Sequence, residues 1–198
     1  MKYPGTFVLL VGATGSGKGA LITHAKKHHP EVVYPHTATT RAMRPGEVDG
    51  EHYRFLTKQE FEQRIEAGDF LEWVSTDGKL YGTPKDEIMT ALESGGIALK
   101  EMEPRGILQA QERLSKENVV TIYVDAGGWD TLARRIQLRA PMGEEELQSR
   151  KERFEYEQEF KNEADYVILN LDGHLDEATA AFDAIIKTLL PSAENSSN

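Results

Sequence analysis

Residues 6–22 read TFVLLVGATGSGKGALI, and this stretch decides the fold. It opens with a continuous apolar run that stops at a glycine, as is typical of a strand buried on both faces of a parallel sheet. Leu21, Ile22 and Ala25 then recur at helical spacing before Pro30. The stretch therefore predicts a strand, a glycine-rich loop and a helix in direct succession.

The loop has the G-x-x-x-x-G-K spacing of a phosphate-binding loop, from Gly12 to Lys18. Glycines allow consecutive backbone N–H groups to turn toward phosphate oxygens, and the N-terminus of the following helix adds a favourable dipole. An ordinary glycine-rich turn is the alternative, but the strand–loop–helix context favours phosphate binding. The residues predicted to bind nucleotide phosphates are Gly12, Ala13, Thr14, Gly15, Ser16, Gly17, Lys18, Gly19 and Ala20.

Composition excludes several classes of function. The chain has 198 residues, no cysteine and a net charge of −10, which disfavours both a disulfide framework and a general nucleic-acid binder. Its arginines are locally clustered, which favours a small anionic ligand. The N-terminal apolar run is too short to span a bilayer and lacks a signal-peptide cleavage pattern, so we expect a cytoplasmic protein.

Strands alternate with helices along most of the chain, which predicts an α/β fold with a parallel sheet covered by helices on both faces. Residues 36–84 interrupt this rhythm with hairpin-like β structure, including a turn at Asp77-Gly78, and we interpret them as an inserted subdomain. Capping boxes are predicted at Thr57 and Thr83. The polar, arginine-bearing residues 129–157 are interpreted as a mobile lid. The core then comprises 1–35, 85–128 and 158–190, followed by a disordered tail at 191–198.

Several further motifs occur in one order: TATTRAMRPGEVDGEHYRF (37–55), FLEW (70–73), YGT (81–83), LARRIQLRA (132–140) and DYVILN (165–170). Together with the loop, they resemble guanylate kinases over about residues 5–190. The resemblance implies the P-loop nucleoside monophosphate kinase fold, with a core, an α+β GMP-binding subdomain and a helical lid. It also implies transfer of a phosphoryl group from ATP to GMP with Mg²⁺. The partners would be small nucleotides, with no nucleic acid or membrane, and the chain a monomer or homodimer.

The resemblance assigns the acceptor site residue by residue. It implies that the GMP phosphate is bound by Arg41, Arg44, Tyr53 and Tyr81, and that further GMP contacts come from Thr37, Glu72, Thr83, Glu101 and Asn170. Glu72 would accept from the N1–H and amine of guanine, while threonine hydroxyls would donate to O6. A carboxylate facing that edge rejects adenine, whose N1 is an acceptor. Taken singly, Glu72 could be a solvated charge, Thr83 a helix cap and Asn170 a turn residue.

The donor side would use lid arginines. Arg135 and Arg139 are four residues apart and share a helix face, and Arg150 lies on the next helix. The resemblance implies that they close on the transferring phosphoryl group, so that the predicted catalytic residues are Lys18, Arg41, Arg135, Arg139 and Arg150. Arg134 and Arg153 are interpreted as surface residues.

The chain departs from the family pattern at two places. Gly19 and Ala20 stand where the family usually has two hydroxyl residues, which predicts weaker ATP binding without loss of chemistry. In LKEMEPRG (99–106), Glu103 replaces an aspartate expected near the Mg²⁺ water shell. Lys100 and Arg105 replace an apolar residue and a glutamine, and we hypothesise that their charge offsets a weakened metal site.

Two other functions remain open from the sequence. One is a non-catalytic guanylate-kinase-like binding module of the kind found in scaffolding proteins. The other is a kinase of the same fold for another phosphorylated acceptor, such as a sugar phosphate. Retention of Lys18 and the lid arginines disfavours the first, and Glu72 with Thr37 disfavours the second.

Overall fold

A computed structural model describes residues 2–190 of the chain. The predicted disordered tail, 191–198, lies outside the described residues. The strands are Thr6–Val11 (β1), Val32–Val33 (β2), Ala38–Thr39 (β3), Arg54–Phe55 (β4), Phe70–Thr76 (β5), Lys79–Pro84 (β6), Ile97–Glu101 (β7), Val119–Asp125 (β8) and Tyr166–Leu169 (β9). The α-helices are Lys18–His28 (α1), Lys58–Glu66 (α2), Lys85–Glu93 (α3), Pro104–Arg113 (α4), Trp129–Arg139 (α5), Glu144–Glu159 (α6) and Leu175–Leu189 (α7). Short 3₁₀ turns occupy Lys116–Asn118 and Phe160–Asn162.

The core sheet is parallel, with the strand order β2-β7-β1-β8-β9. Alternate residues of the central strand β1 enter two different hydrophobic clusters. Phe7 and Leu9 pack with residues of α3 and α4, whereas Val8 and Leu10 pack with residues of α1 and α7. Helices therefore cover both faces of the sheet, which explains the continuous apolar run and confirms the predicted α/β fold class.

The topology places the phosphate-loop motif at a natural ligand site. After β1 the chain runs to β2 at one edge of the sheet, and after β7 it crosses to β8 on the other side of β1. Ligands of open α/β sheets bind beyond the carboxyl ends of the strands where the strand order reverses in this way. The loop 12–17, which follows β1, lies at that point.

A second sheet, with the order β4-β3-β6-β5, is built within residues 36–84. Helix α2 packs on it through Phe61, whose ring stacks on Phe70 at 4.4 Å between centroids. The capping box at Thr57 is confirmed, because its hydroxyl accepts from the Glu60 backbone and the Glu60 carboxylate accepts from the Thr57 backbone. The hairpin at Asp77-Gly78 is also confirmed, and both residues have positive φ.

Two local predictions differ from the structure. The capping box at Thr83 is wrong: Pro84 is the N-cap residue of α3, with no side-chain cap, and the Thr83 hydroxyl donates to Glu72 instead. Helix α4 has no counterpart in the sequence interpretation. Pro104 and Gly106 in its first turn resemble breakers, but proline is well tolerated there because its missing N–H would be unpaired in any case.

Candidate active site

The conformation of the phosphate loop is fixed by its glycines and by a hydrogen bond from Asn170, which directly follows β9. Gly12, Gly15 and Gly17 have φ values of 140°, 88° and 104°, which L-residues with side chains rarely adopt. A Cβ on Gly17 would overlap the amide of Asn170. That amide donates to the Ser16 carbonyl at 2.7 Å, and Asn170 is buried. The loop is therefore fixed before any ligand binds, with its N–H groups at the start of α1.

Lys18 lies over the loop that it follows. Its Nζ donates to the carbonyls of Gly12 at 2.5 Å and Ala13 at 3.2 Å. Burial lowers the pKa of Lys18, while the nearby carboxylates of Glu101 and Glu157 oppose that shift. The ammonium and the loop N–H groups together form a compact site for phosphate oxygens.

The predicted lid arginines occupy different environments. Arg135 donates to the Gly15 carbonyl at 3.3 Å and the Asn170 carbonyl at 2.8 Å, which ties α5 to the loop. Arg150 lines a small cavity beside Ala13 and Thr14, and its Nε has no hydrogen-bond partner among residues 2–190. Arg139 is exposed at the end of α5. The structure thus brings Arg135 and Arg150 to the loop but not Arg139.

Arg153 is exposed, as predicted, but it has ion-pair partners that sequence reasoning did not identify. Its guanidinium contacts the carboxylate of Glu103 at the start of α4, and its Nε donates to Glu157 at 3.2 Å. Arg153 also lines the cavity beside the loop, although its side chain is 51% exposed. The i,i+4 spacing to Glu157 was visible in the sequence, but the pairing with Glu103 requires the tertiary fold.

On the acceptor side, Arg41 is paired with a residue that sequence reasoning did not single out. Its two terminal nitrogens donate to the two carboxylate oxygens of Glu47, at 3.0 and 2.7 Å. The guanidinium lies 5.2 Å from the Tyr53 ring centroid and 5.6 Å from that of Phe55. The hydrogen bonds from Arg41 and from the backbone N–H of Arg44 lower the pKa of Glu47 to about 2. Arg41 is therefore preoriented for an oxyanion that accepts through two of its oxygens.

Tyr81 lies close to the same guanidinium. On β6 it pairs with Thr39 of β3, and its hydroxyl is near enough to Arg41 to affect that residue electrostatically. The side chain of Arg44 is exposed. Tyr53 and Tyr81 thus both lie near the guanidinium of Arg41.

Glu72 and Thr83 form a buried polar pair on neighbouring strands. The Thr83 hydroxyl donates to Glu72 Oε1 at 2.5 Å, and the two residues are 8% and 0% exposed. Burial raises the pKa of Glu72, opposed by the bond from Thr83 and by the charge of Lys100. A buried carboxylate with one free oxygen is suited to accept N–H groups from a ligand.

Helix α4 packs close to the same Glu72–Thr83 pair. A Cβ on Gly106 would lie 2.7 Å from Met102 Cγ and 3.7 Å from Glu72 Cγ. Glycine at this position therefore lets α4 pack closely against Met102 and Glu72. Arg113, at the other end of α4, donates to the carbonyls of Phe70 and Leu71 and holds β5 against the core.

Lys100 lies on the acceptor side, away from the position that the metal hypothesis gave it. Its Nζ donates to Thr37 Oγ1 at 2.7 Å and to the Pro35 carbonyl at 3.2 Å. Arg105 is exposed on α4. The proposed compensation of a metal site by Lys100 therefore has no geometric support.

The donor side suits Mg²⁺ held mainly by phosphates. Within residues 2–190, no three His, Cys, Asp or Glu side chains lie close enough together to hold a metal ion. Mg²⁺ in phosphoryl-transfer sites commonly uses one or two carboxylates, the substrate phosphates and water. Glu103 lies near enough to Lys18 to influence its pKa, so the carboxylate predicted for the metal site is present beside the loop.

Comparison with known proteins agrees with this geometry. Residues 5–189 match the family model described as guanylate kinase. A guanylate kinase of Desulfitobacterium hafniense is 37% identical over 94% of this chain and 90% of its own length, and one of Rubrobacter xylanophilus is 37% identical over 85% and 87%. The crystal structure of guanylate kinase from Anaplasma phagocytophilum has the same fold, with a TM-score of 0.72 at 22% identity over 97% of this chain and 89% of that one. The chain belongs to the guanylate kinase family.

Proposed function

We propose that the protein transfers the γ-phosphoryl group of ATP to the phosphate of GMP, giving ADP and GDP in a reversible reaction. The observation that carries the acceptor assignment is the buried Glu72–Thr83 pair, which leaves one oxygen of a buried carboxylate available to a ligand. The N1–H and 2-amino groups of guanine are donors and satisfy that oxygen. Adenine presents an acceptor at N1 and would leave a buried charge unpaired.

In this proposal the acceptor phosphate binds Arg41, which exchanges its bond to Glu47 for one to the substrate. Tyr53 and Tyr81 add hydroxyl donors, and Arg44 adds a second cation at the rim. The guanidinium plane matches two phosphate oxygens, and a lysine could offer only a point charge. The phosphate would then be oriented for in-line attack on the donor.

On the donor side, the loop N–H groups would bind the ATP phosphates, and Lys18 would leave its two carbonyls to neutralise them. Arg135, Arg139 and Arg150 would stabilise charge on the transferring group as the lid closes. Glu103 would hold the water shell of Mg²⁺, an ion that would supply neutralisation of the phosphate charge, while Glu101 stays a predicted contact of GMP. Catalysis then consists of positioning and electrostatic stabilisation, and the protein need not form a covalent intermediate.

Asn170 has a different place in this scheme from the one implied by the resemblance. Its side chain contacts the phosphate loop through Ser16, on the donor side. We propose that it supports nucleotide binding by fixing the loop, and its direct contact with GMP stays a prediction.

The setting of the reaction follows from the same proposal. No described helix is both long and apolar enough to cross a bilayer. We propose that the enzyme works in the cytoplasm on small nucleotides, as a monomer or homodimer.

A coupled assay of ADP release tests the function. With ATP and Mg²⁺, we expect rapid turnover with GMP, slower turnover with dGMP, and little with AMP or UMP. Glu72→Ala should reduce turnover with GMP sharply. GMP binding without turnover would instead indicate a non-catalytic module, and turnover only with a non-nucleotide phosphate would indicate another acceptor.

A further inference from the structure

Lys100 is a cation on the core sheet that contacts a residue assigned to the acceptor base. It lies on β7, where its backbone pairs with Leu9 of β1, and its ammonium reaches Thr37 just before β3 of the inserted sheet. The Thr37 carbonyl accepts from the Arg54 backbone at 2.9 Å, which fixes the backbone from which the hydroxyl projects. The proposed phosphoryl transfer, as described, gives Lys100 no role.

The bond to Lys100 restricts what the Thr37 hydroxyl can do. A hydroxyl has one hydrogen and two acceptor lone pairs, whereas a protonated lysine amine can only donate. Because Lys100 donates to Thr37 Oγ1 at 2.7 Å, the hydrogen of that hydroxyl must point elsewhere. The hydroxyl therefore keeps its hydrogen free to donate, and one of its two acceptor lone pairs is already occupied.

We propose that Lys100 is a positioning residue for the acceptor base: by donating to Thr37 it orients the Thr37 hydroxyl to donate to the carbonyl at the 6-position of a purine. This inference rests on the proposed function, since it deepens the selectivity of the same site. A 6-oxopurine offers an acceptor there, and a 6-aminopurine offers a donor that would meet the hydroxyl hydrogen. Lys100 thereby reinforces the selection that Glu72 makes at the neighbouring edge.

The charges around Lys100 make this orientation dependent on pH. Burial lowers the pKa of Lys100 to about 8, opposed by Glu72 of β5, Glu101 of β7 and Glu87 of α3. Glu87 is itself paired with Arg54 and hydrogen-bonded to His36, so its charge is shared with those groups. Above that pH, a neutral amine can accept from Thr37, and the hydroxyl is no longer directed at the base.

A purely structural role is the competing explanation. Lys100 also donates to the Pro35 carbonyl, and it could serve only to join the inserted sheet to the core. A structural role predicts loss of stability or of activity with every substrate. It predicts neither a selective effect on 6-oxopurines nor a dependence on the Thr37 hydroxyl.

The test measures kcat/KM for GMP, IMP and AMP across neutral and alkaline pH in the native enzyme and in Lys100→Met, Lys100→Arg, Thr37→Val and the double variant Lys100→Met/Thr37→Val. Lys85→Met is the matched control, because Lys85 also donates to a backbone carbonyl, that of Gly68, but lies outside the site. Isothermal titration with GMP supplies a readout that does not require turnover. The titrations of Lys18 and of guanine N1 are common to all variants.

We expect kcat/KM for GMP and IMP in the native enzyme to fall by about three- to tenfold as pH rises through 8, as for loss of one hydrogen bond. Lys100→Met and Thr37→Val should each show the lower value without that step, and their effects should not add. Lys100→Arg should keep more activity than Lys100→Met and should lose the fall of kcat/KM with pH. Lys85→Met should show the same fall as the native enzyme. AMP turnover should not fall.

A step near that pH that survives in Lys100→Met or Thr37→Val would overturn the inference, as would additive effects of the two substitutions or equal losses with GMP and AMP. If Lys100→Met fails to fold, Thr37→Val alone tests the inference, because it should also abolish the fall of kcat/KM with pH. A native enzyme inactive with GMP refutes the proposed function, whereas an active one with an unchanged pH profile in the variants refutes only the role of Lys100.

Discussion

The donor and acceptor sides of the site bind charge by different means. The donor side is made mostly of backbone, because residues 12–20 supply N–H groups from one continuous segment. Its lysine also rests on backbone, because Lys18 donates to the carbonyls of Gly12 and Ala13, while Arg135 divides its hydrogen bonds between backbone carbonyls and Asp172. The acceptor side is made of side chains from separate elements, and its main cation, Arg41, rests on the carboxylate of Glu47.

This difference has an energetic consequence. A phosphate that binds Lys18 replaces neutral carbonyls, whereas a phosphate that binds Arg41 replaces a full negative charge. Hydrogen bonds to charged partners contribute roughly twice as much as neutral ones. We therefore expect substitutions on the donor side to lower mainly kcat, because charge develops there in the transition state. Substitutions on the acceptor side should change mainly the selection between substrates.

Lys18→Met should have the largest effect. It removes the cation nearest the predicted donor phosphates, and loss of one preorganised donor typically lowers kcat by about 10²- to 10³-fold. Steady-state kinetics with saturating GMP measures the change. Lys27→Met, on the exposed face of α1, controls for loss of a positive charge. A loss of kcat below tenfold would mean that the donor side does not depend on this ammonium.

Glu72→Gln should have the next largest effect, and it should act on selection. The substitution replaces an oxygen that accepts from guanine by an amide, and hydrogen bonds to charged groups contribute about 1.5–3 kcal/mol. We expect kcat/KM for GMP to fall by roughly ten- to hundredfold, with no fall for AMP. Glu66→Gln, on the exposed surface of α2, is the matched control. Equal losses with GMP and AMP would show that Glu72 acts on the fold and not on the base.

Glu47→Gln tests whether the charge of Glu47 stabilises the fold, because its effect on the melting temperature should depend on pH. Arg41 holds the pKa of Glu47 at about 2, below the ordinary value of 4.5. A carboxylate with a lowered pKa stabilises the folded state above its ordinary pKa, and that contribution disappears as pH falls toward the folded value. The melting temperature of the native protein should exceed that of Glu47→Gln at neutral pH, and the gap should close between about pH 4.5 and 2.

Thermal scans at several pH values measure the gap, with Glu51→Gln as the control for a solvent-exposed carboxylate in the same loop. Because the pair lies near solvent, added salt should narrow the gap. A gap that persists unchanged at acidic pH would show that Glu47 contributes by packing and not by its charge.

The same contrast explains what the sequence could predict. The phosphate loop was readable because its determinants are local: glycine spacing, one lysine and the change from strand to helix. The parallel core was readable because β1 is apolar on both faces. The hairpin at Asp77-Gly78 and the cap at Thr57 are likewise decided by neighbours in the sequence.

The remaining features depend on contacts between distant residues. Thr83 has the local pattern of a helix cap, but Glu72 on the adjacent strand takes its hydroxyl. Arg153 is at the surface, as its pattern predicts, but its pairing with Glu103 is visible only in the fold. In the sequence, Lys100 is a charged residue in a largely apolar strand. Only the fold shows that its ammonium donates to Thr37. The helical spacing of Ile107 and Ala110 is consistent with α4, but the proline and glycine before them resemble helix breakers and conceal this pattern.

Ala20→Thr should have the smallest effect, and it tests whether the donor side lacks anything. The structure has room for a larger side chain at this position, since Ala20 is exposed. A hydroxyl at residue 20, in the first turn of α1, would add one neutral hydrogen bond to an ATP phosphate, so the KM for ATP should fall by about three- to tenfold. Ala20→Val has nearly the same shape as Ala20→Thr without the hydroxyl and should leave the KM for ATP unchanged. If both variants match the native enzyme, the loop binds ATP fully through its backbone, and the contrast between a backbone donor site and a side-chain acceptor site becomes sharper.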